Sequence, residues 1–156
     1  MNVEVLPDAE SVARRAAEFI AAEARAAVSA RGRFALAVSG GHTPWQMLRV
    51  LATLDVPWNG VHLFQVDERV APTGDPDRNW THIGESLLGS VSLPRQQLHP
   101  MPVEDLDLAA AAGRYATELA SVADTPPVLD LVQLPILRAP TMSEAEVAPV
   151  TPKEIP

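Results

Sequence analysis

Two short segments of this chain combine residue types able to hold an anion. The first is Ser39-Gly40-Gly41-His42-Thr43-Pro44, where two glycines and a hydroxyl follow a short apolar run and precede a helix signal. Glycines let a backbone come close to a ligand, and a helix N-terminus offers N–H groups with no intrahelical acceptor, so such a turn suits a phosphate or carboxylate. Pro44 has no N–H, which leaves the turn to supply the other donors. It is neither a Walker motif, for want of the lysine, nor a GxGxxG turn, and a compact strand-to-helix connection is the plain alternative. The second segment is Asp67-Glu68-Arg69. Arg69 has the planar fork for a two-pronged bond to an oxyanion, and Asp67 and Glu68 are suited to orient it or to bind a sugar hydroxyl. A solvated charge cluster at the start of a loop is the alternative here.

The elements around these segments decide whether they can meet. Residues 8–30 have helical spacing, with Val12, Ala16, Phe19, Ile20, Ala27 and Val28 on the apolar face, Asp8 as N-cap and Gly32 just past the end. Residues 34–38, FALAV, read as a strand buried on both faces, and VHLFQV, residues 61–66, as a second one that ends in the Asp67 triplet. Thr43, Pro44 and Gln46 spell a capping box for a helix from Pro44 to about Leu54. A short helix over 80–88, a brief strand at Leu98–Met101, a helix over 108–122 and a strand over 128–134 follow. Strands alternating with helices predict an α/β fold with a mostly parallel sheet. Ligands of such sheets gather beyond the carboxyl ends of the strands, which puts both segments on one rim.

The totals narrow the classes. With 156 residues the chain suits one domain, and its apolar content is mostly aliphatic, aromatics being only 4%. A net charge of −8 leaves no broad basic surface for nucleic acid, so any anion must be held locally. There is no cysteine, which removes disulfides, thiolate metal sites and cysteine nucleophiles. His42, His62, His82 and His99 lack helical pair spacing, so no metal site is expected. His62 reads as a structural strand residue and His82 and His99 as surface or packing residues, while His42 sits inside the glycine turn. The acidic opening lacks a signal-peptide pattern and no apolar run spans a bilayer, so the expectation is a cytoplasmic protein with no membrane partner. Beyond Leu134, five prolines in 22 residues without apolar periodicity predict an extended or disordered tail over 135–156, leaving a folded part over 1–134.

In order and separation, FALAVSGGHTPWQMLRVLA, WNGVHLFQVDERVAPTGDPDRNW, LHPMP, AAGRYATELA and VLDLVQL resemble the N-terminal part of the 6-phosphogluconolactonase family, in the larger group that includes glucosamine-6-phosphate deaminase. The resemblance covers roughly residues 8–134. It implies a Rossmann-like three-layer α/β/α fold and hydrolysis of 6-phospho-D-glucono-1,5-lactone to 6-phosphogluconate in the pentose phosphate pathway. No cofactor is implied, and the partner would be a small phosphorylated sugar lactone. Ser39, Gly40, Gly41 and Thr43 would line the phosphosugar site, and Arg69 and Asn79 would shape its pocket. His42 stands where the family usually has a small polar residue, and its role stays open.

One departure changes the expectation. In the family, a strand like VLDLVQL runs into a glycine-rich segment of the form G-x-G-x-DGH-x-AS-L-F-P, whose histidine is taken as the general base. Here PILRAPTMSEAE follows Leu134, with no glycine after Gly113 and no histidine after His99. The sheet is therefore expected to be incomplete on its C-terminal side and catalysis to be impaired, since a positioned base contributes about 10²–10⁴-fold. The alternatives are a deaminase-type isomerase and a non-catalytic phosphosugar-binding remnant. The long opening helix and the DERVAP continuation lean toward the lactonase.

Overall fold

The structure, a computed structural model, describes residues 4–123 and 126–134. The first helix, α1, runs over Ala9–Arg31. Asp8 caps its start by accepting from the Ser11 amide at 2.7 Å, and Gly32 closes it by donating to the Val28 carbonyl at 2.8 Å, so both local signals place its ends. Strand β1 is Phe34–Val38, α2 is His42–Leu51, and β2 is Val61–Gln65. Helix α3, Asn79–Ile83, continues as a π-type turn over Gly84–Leu88. Strand β3 is Leu98–His99, α4 is Leu108–Ala123, and β4 is Leu131–Val132. The segment 135–156 lies outside the described residues.

The four strands form one parallel sheet in the order β3-β2-β1-β4. This is the parallel α/β arrangement that the alternation of elements predicts, and it is consistent with the Rossmann-like fold that the resemblance implies. Period-two alternation sends Phe34, Leu36 and Val38 of β1 and Val61 and Leu63 of β2 into a core shared with α1, α2 and α3, where Met47, Leu48, Leu51 and Ile83 are closed off from solvent. Ala35, Ala37 and Phe64 point the other way, toward Tyr115, Leu119 and Ala123 of α4. All five residues of β1 are buried, as FALAV predicts.

Besides β3, which stops two residues short of the expected Met101, three elements differ from their sequence reading. The face that α1 buries is made by Ala13, Ala17, Ile20, Ala21, Ala24 and Ala27, whereas Val12 and Phe19 are 41% and 50% exposed. Small side chains let α1 lie close over the sheet and α2, so the alanines take the inner positions and displace the larger residues to the flank. Helix α2 starts two residues before Pro44, with Gly41 as N-cap and no side-chain cap, so Thr43 is inside the helix and the predicted box is not formed. Gln46 instead approaches His42, Nε2 to Nε2, at 3.2 Å. Finally, the strand read over 128–134 shrinks to two residues. The Asp130 carboxylate takes the Ala35 amide at 2.7 Å in place of a strand carbonyl, and it pairs with Arg31. The Asp130 and Gln133 amides, donating to the Ala35 and Ala37 carbonyls, still carry the ladder at 3.0 and 2.9 Å.

Candidate active site

Parallel pairing of β1 with β2 brings Val38 opposite Gln65, so the residues after both strands emerge on the same rim. There the Ser39 hydroxyl donates to Asp67 Oδ1 at 2.8 Å, and Arg69 Nη1 donates to Asp67 Oδ2 at 3.0 Å. One carboxylate thus ties the glycine turn to the guanidinium. Gln133, beyond β4, accepts from the Ser39 amide at 3.1 Å and fixes the turn from its other side. Ser39, Gly40, Gly41, Asp67, Arg69 and Asn79 all border a single cleft of about 710 Å³.

The turn is shaped by two glycines with different reasons to be glycine. Gly41 has φ +117°, a conformation that side-chain-bearing residues rarely adopt, and from it the chain enters α2 with its first-turn amides uncapped. A Cβ on Gly40 would lie 1.8 Å from Asn79 Oδ1, so Asn79 packs directly on the turn backbone. Asn79 is itself held by its side-chain amide, which donates to the Asp67 carbonyl at 3.0 Å. The loop between β2 and α3 therefore folds back over the rim.

Glu68 makes that fold-back possible. Its side chain is fully enclosed and accepts from the amides of Arg69, Asn79 and Trp80 and from the Gln65 side chain, at 2.7–2.9 Å. In effect it caps α3 from eleven residues away. Burial pushes its carboxyl up, but these hydrogen bonds together outweigh burial and hold it below the usual carboxylate range. Arg78, with a side chain only 5% exposed, spans Glu68 and Glu104. Glu68 is thus an anchor beneath the site, with no surface on the cleft, contrary to the hydroxyl-binding role that its place in the triplet suggests.

His42 and Thr43 also fall away from the Arg69 cleft. They border a neighbouring groove of about 460 Å³ between α1 and α2. Two residues that sequence reasoning passed over do face the cleft. Trp45 and His82 line it together, their rings stacked with centroids 4.0 Å apart. Neither carries a local signal, because α2 and α3 bring them together from distant parts of the chain. On the β3 side of the sheet His99 is almost fully enclosed, stacked on Phe64, within 3.0 Å of His62 and 2.6 Å of Glu118. Among the described residues no group of His, Asp and Glu is placed to hold a metal ion, and no helix is long and apolar enough to cross a membrane.

The family described as Glucosamine-6-phosphate isomerases/6-phosphogluconolactonase matches residues 7–136. This chain belongs to that family. The 6-phosphogluconolactonase of Nostoc sp. is 32% identical over 85% of this chain and 57% of its own length. That of Mycobacterium leprae is 37% identical over 78% of this chain and 52% of its own. The chain spans about half the length of the curated relatives it matches. Among solved structures, the devB protein matches with a TM-score of 0.73 at 26% identity, over 83% of this chain and 55% of that one. The 6-phosphogluconolactonase of Thermotoga maritima matches with a TM-score of 0.70 at 26% identity, over 78% of this chain and 54% of that one. The family match takes in the glycine turn, the Asp67 triplet and Asn79, so every residue bordering the cleft lies within it.

Proposed function

We propose that this chain is a phosphosugar-binding domain of the 6-phosphogluconolactonase type, built for 6-phospho-D-glucono-1,5-lactone. The observation that carries the reading is the convergence of Ser39, the Gly40-Gly41 turn, Asn79 and Arg69 on one cleft at the carboxyl rim. Arg69 is largely exposed, and an exposed pair with Asp67 is weak, so its guanidinium is free to turn to a ligand. Asp67 and Asp77 border the same cleft, giving two carboxylates against one guanidinium. The phosphate therefore belongs at the turn amides and Arg69, and the sugar hydroxyls beside the carboxylates.

Lactone hydrolysis adds water to the ring carbonyl and breaks the ring C–O bond. The ring oxygen leaves as a hydroxyl that takes up a proton, and a second proton is released as the new acid ionises. A base must take the proton of the attacking water, and donors must meet the oxyanion that forms. The cleft's own histidine, His82, does not supply that base: its Nε2 contacts the Pro76 carbonyl at 2.8 Å and its Nδ1 lies 3.4 Å from Glu85. On this reading binding is retained and hydrolysis is slow, since PILRAPTMSEAE follows Leu134 directly where the resemblance implies the histidine-bearing DGH segment.

Calorimetry with 6-phosphogluconate and an assay of lactone hydrolysis over its spontaneous rate test the reading. Saturable binding, weakened about tenfold or more by Arg69→Ala, with little acceleration of hydrolysis, is the expected result. Absence of saturable binding would sink it.

A further inference from the structure

We propose that Trp45 and His82 form an aromatic wall that selects closed-ring over open-chain phosphosugars in the cleft. The inference rests on the phosphosugar reading above and adds to it a specificity element. The two side chains come from α2 and from α3, and both border the cleft that the glycine turn and Arg69 occupy. Their rings lie 4.0 Å apart with planes 30° from parallel, so each fixes the orientation of the other.

What these residues can offer a ligand follows from their polar atoms, which are spoken for or sealed off. The His82 ring is held through Nε2 on the Pro76 carbonyl, and Glu85 stands beside Nδ1. The Trp45 indole N–H is enclosed and has no acceptor. Neither side chain therefore presents a hydrogen-bonding atom to the cleft, and what they offer a ligand is the apolar ring surface that their mutual stacking leaves uncovered. A buried N–H without a partner is a penalty that a phenylalanine at the same place would not carry. The tryptophan gains from its large ring face.

That face complements one kind of ligand. The C–H face of a pyranose or lactone ring is flat and slightly positive at its hydrogens, and it lies well on the negative face of an aromatic system. An open-chain polyol phosphate presents no such face and gives up rotatable bonds on binding. The glycine turn and Arg69 on one side and an aromatic wall at Trp45 and His82 on the other together give the cleft the amphipathic character of a sugar ring.

The test is calorimetry of the full chain with glucose 6-phosphate, glucitol 6-phosphate and inorganic phosphate, the two sugars having equal charge and differing in ring closure. The wild-type chain is expected to prefer glucose 6-phosphate by about five- to tenfold, the scale of one aromatic contact. Trp45→Leu should abolish that preference while keeping the affinity for inorganic phosphate, and Trp45→Phe should keep part of it. His82→Leu provides the same comparison through the other ring, should Trp45→Leu not give a cooperative melt. Equal losses for all three ligands, or no ring preference in a wild-type chain that binds phosphate, would overturn the wall and leave the anion site standing. A wild-type chain that takes none of the three overturns the phosphosugar reading and the wall together.

Discussion

On the face of the sheet covered by α1, α2 and α3, Phe34, Leu36, Val38, Val61 and Leu63 meet a continuous dry layer, whereas the cluster on the α4 face buries only Ala35, Ala37, Phe64 and Ala123. The second face is held largely by polar ties. The Tyr115 hydroxyl accepts from the Gln65 amide at 2.9 Å and donates to the Gln65 carbonyl at 3.0 Å, and His62, His99 and Glu118 link β2, β3 and α4. The glycine turn, α2 and α3 all belong to the dry side. A site that must hold amides in fixed directions is placed where packing, which is insensitive to pH and salt, holds the backbone.

If that contrast is right, truncation should be felt very differently on the two faces. Leu63→Ala, at a fully enclosed position, is expected to lower the free energy of unfolding by about 2–5 kcal/mol. Leu119→Ala on α4, which is only partly buried, should lose about 1 kcal/mol or less. Urea unfolding of both variants measures the difference, and equal losses would mean that the α4 face is as well packed as the other.

The next effect bears on the rim itself. Gly40→Ala would push a methyl group into the Asn79 side chain, and overpacking of this kind costs about 1–3 kcal/mol. Because Asn79 would have to withdraw from the turn, phosphate affinity should fall along with the melting temperature. A variant that melts early but binds normally would show that Asn79 supports the fold and not the cleft.

The parts of this arrangement that were legible in the sequence are those with local signals. Asp8 and Gly32 fix the ends of α1, and the run FALAV announces a strand with no wet face. The rim follows from parallel topology alone, since Ser39 and Asp67 come one and two residues after their strands. What was hidden depends on partners far along the chain. Glu68 looks like a surface charge until Asn79 and Trp80, eleven and twelve residues on, bring their amides to it. Trp45 gives no hint that His82 will stack on it. The inner face of α1 is hidden for another reason: alanines carry little hydropathy, so Val12 and Phe19 dominate the pattern although close approach of the helix favours the smaller residues.

A smaller loss is expected from the polar ties. Tyr115→Phe removes the hydroxyl that serves both the amide and the carbonyl of Gln65, leaving two backbone groups to find water at a half-buried site, for about 1 kcal/mol. Burial, with the nearby Glu118 charge, outweighs the Gln65 contact and pushes the phenol up to about 12, so the hydroxyl keeps its proton and both bonds through any ordinary pH. This tie should therefore be insensitive to pH, unlike the histidine pair beside it.

Acid separates the two kinds of tie by the pH at which each fails. Burial, then the proximity of His99 and of Arg33, holds the His62 imidazole below its ordinary 6.5, so the folded chain keeps it neutral while the unfolded chain takes up a proton. Its contribution is complete above pH 6.5 and is lost as the pH falls from there through the depressed folded value. The Glu68 carboxyl is likewise held below its ordinary 4.5, so the anchor under the rim is complete above that pH and fails only as the pH falls further. Melting temperature should thus decline gently as the pH falls below 6.5 and more steeply below 4.5. His62→Gln should flatten the upper limb and leave the lower one in place. If the upper limb persists in that variant, the acid sensitivity of the α4 face lies elsewhere than in the pair joining β2 to β3.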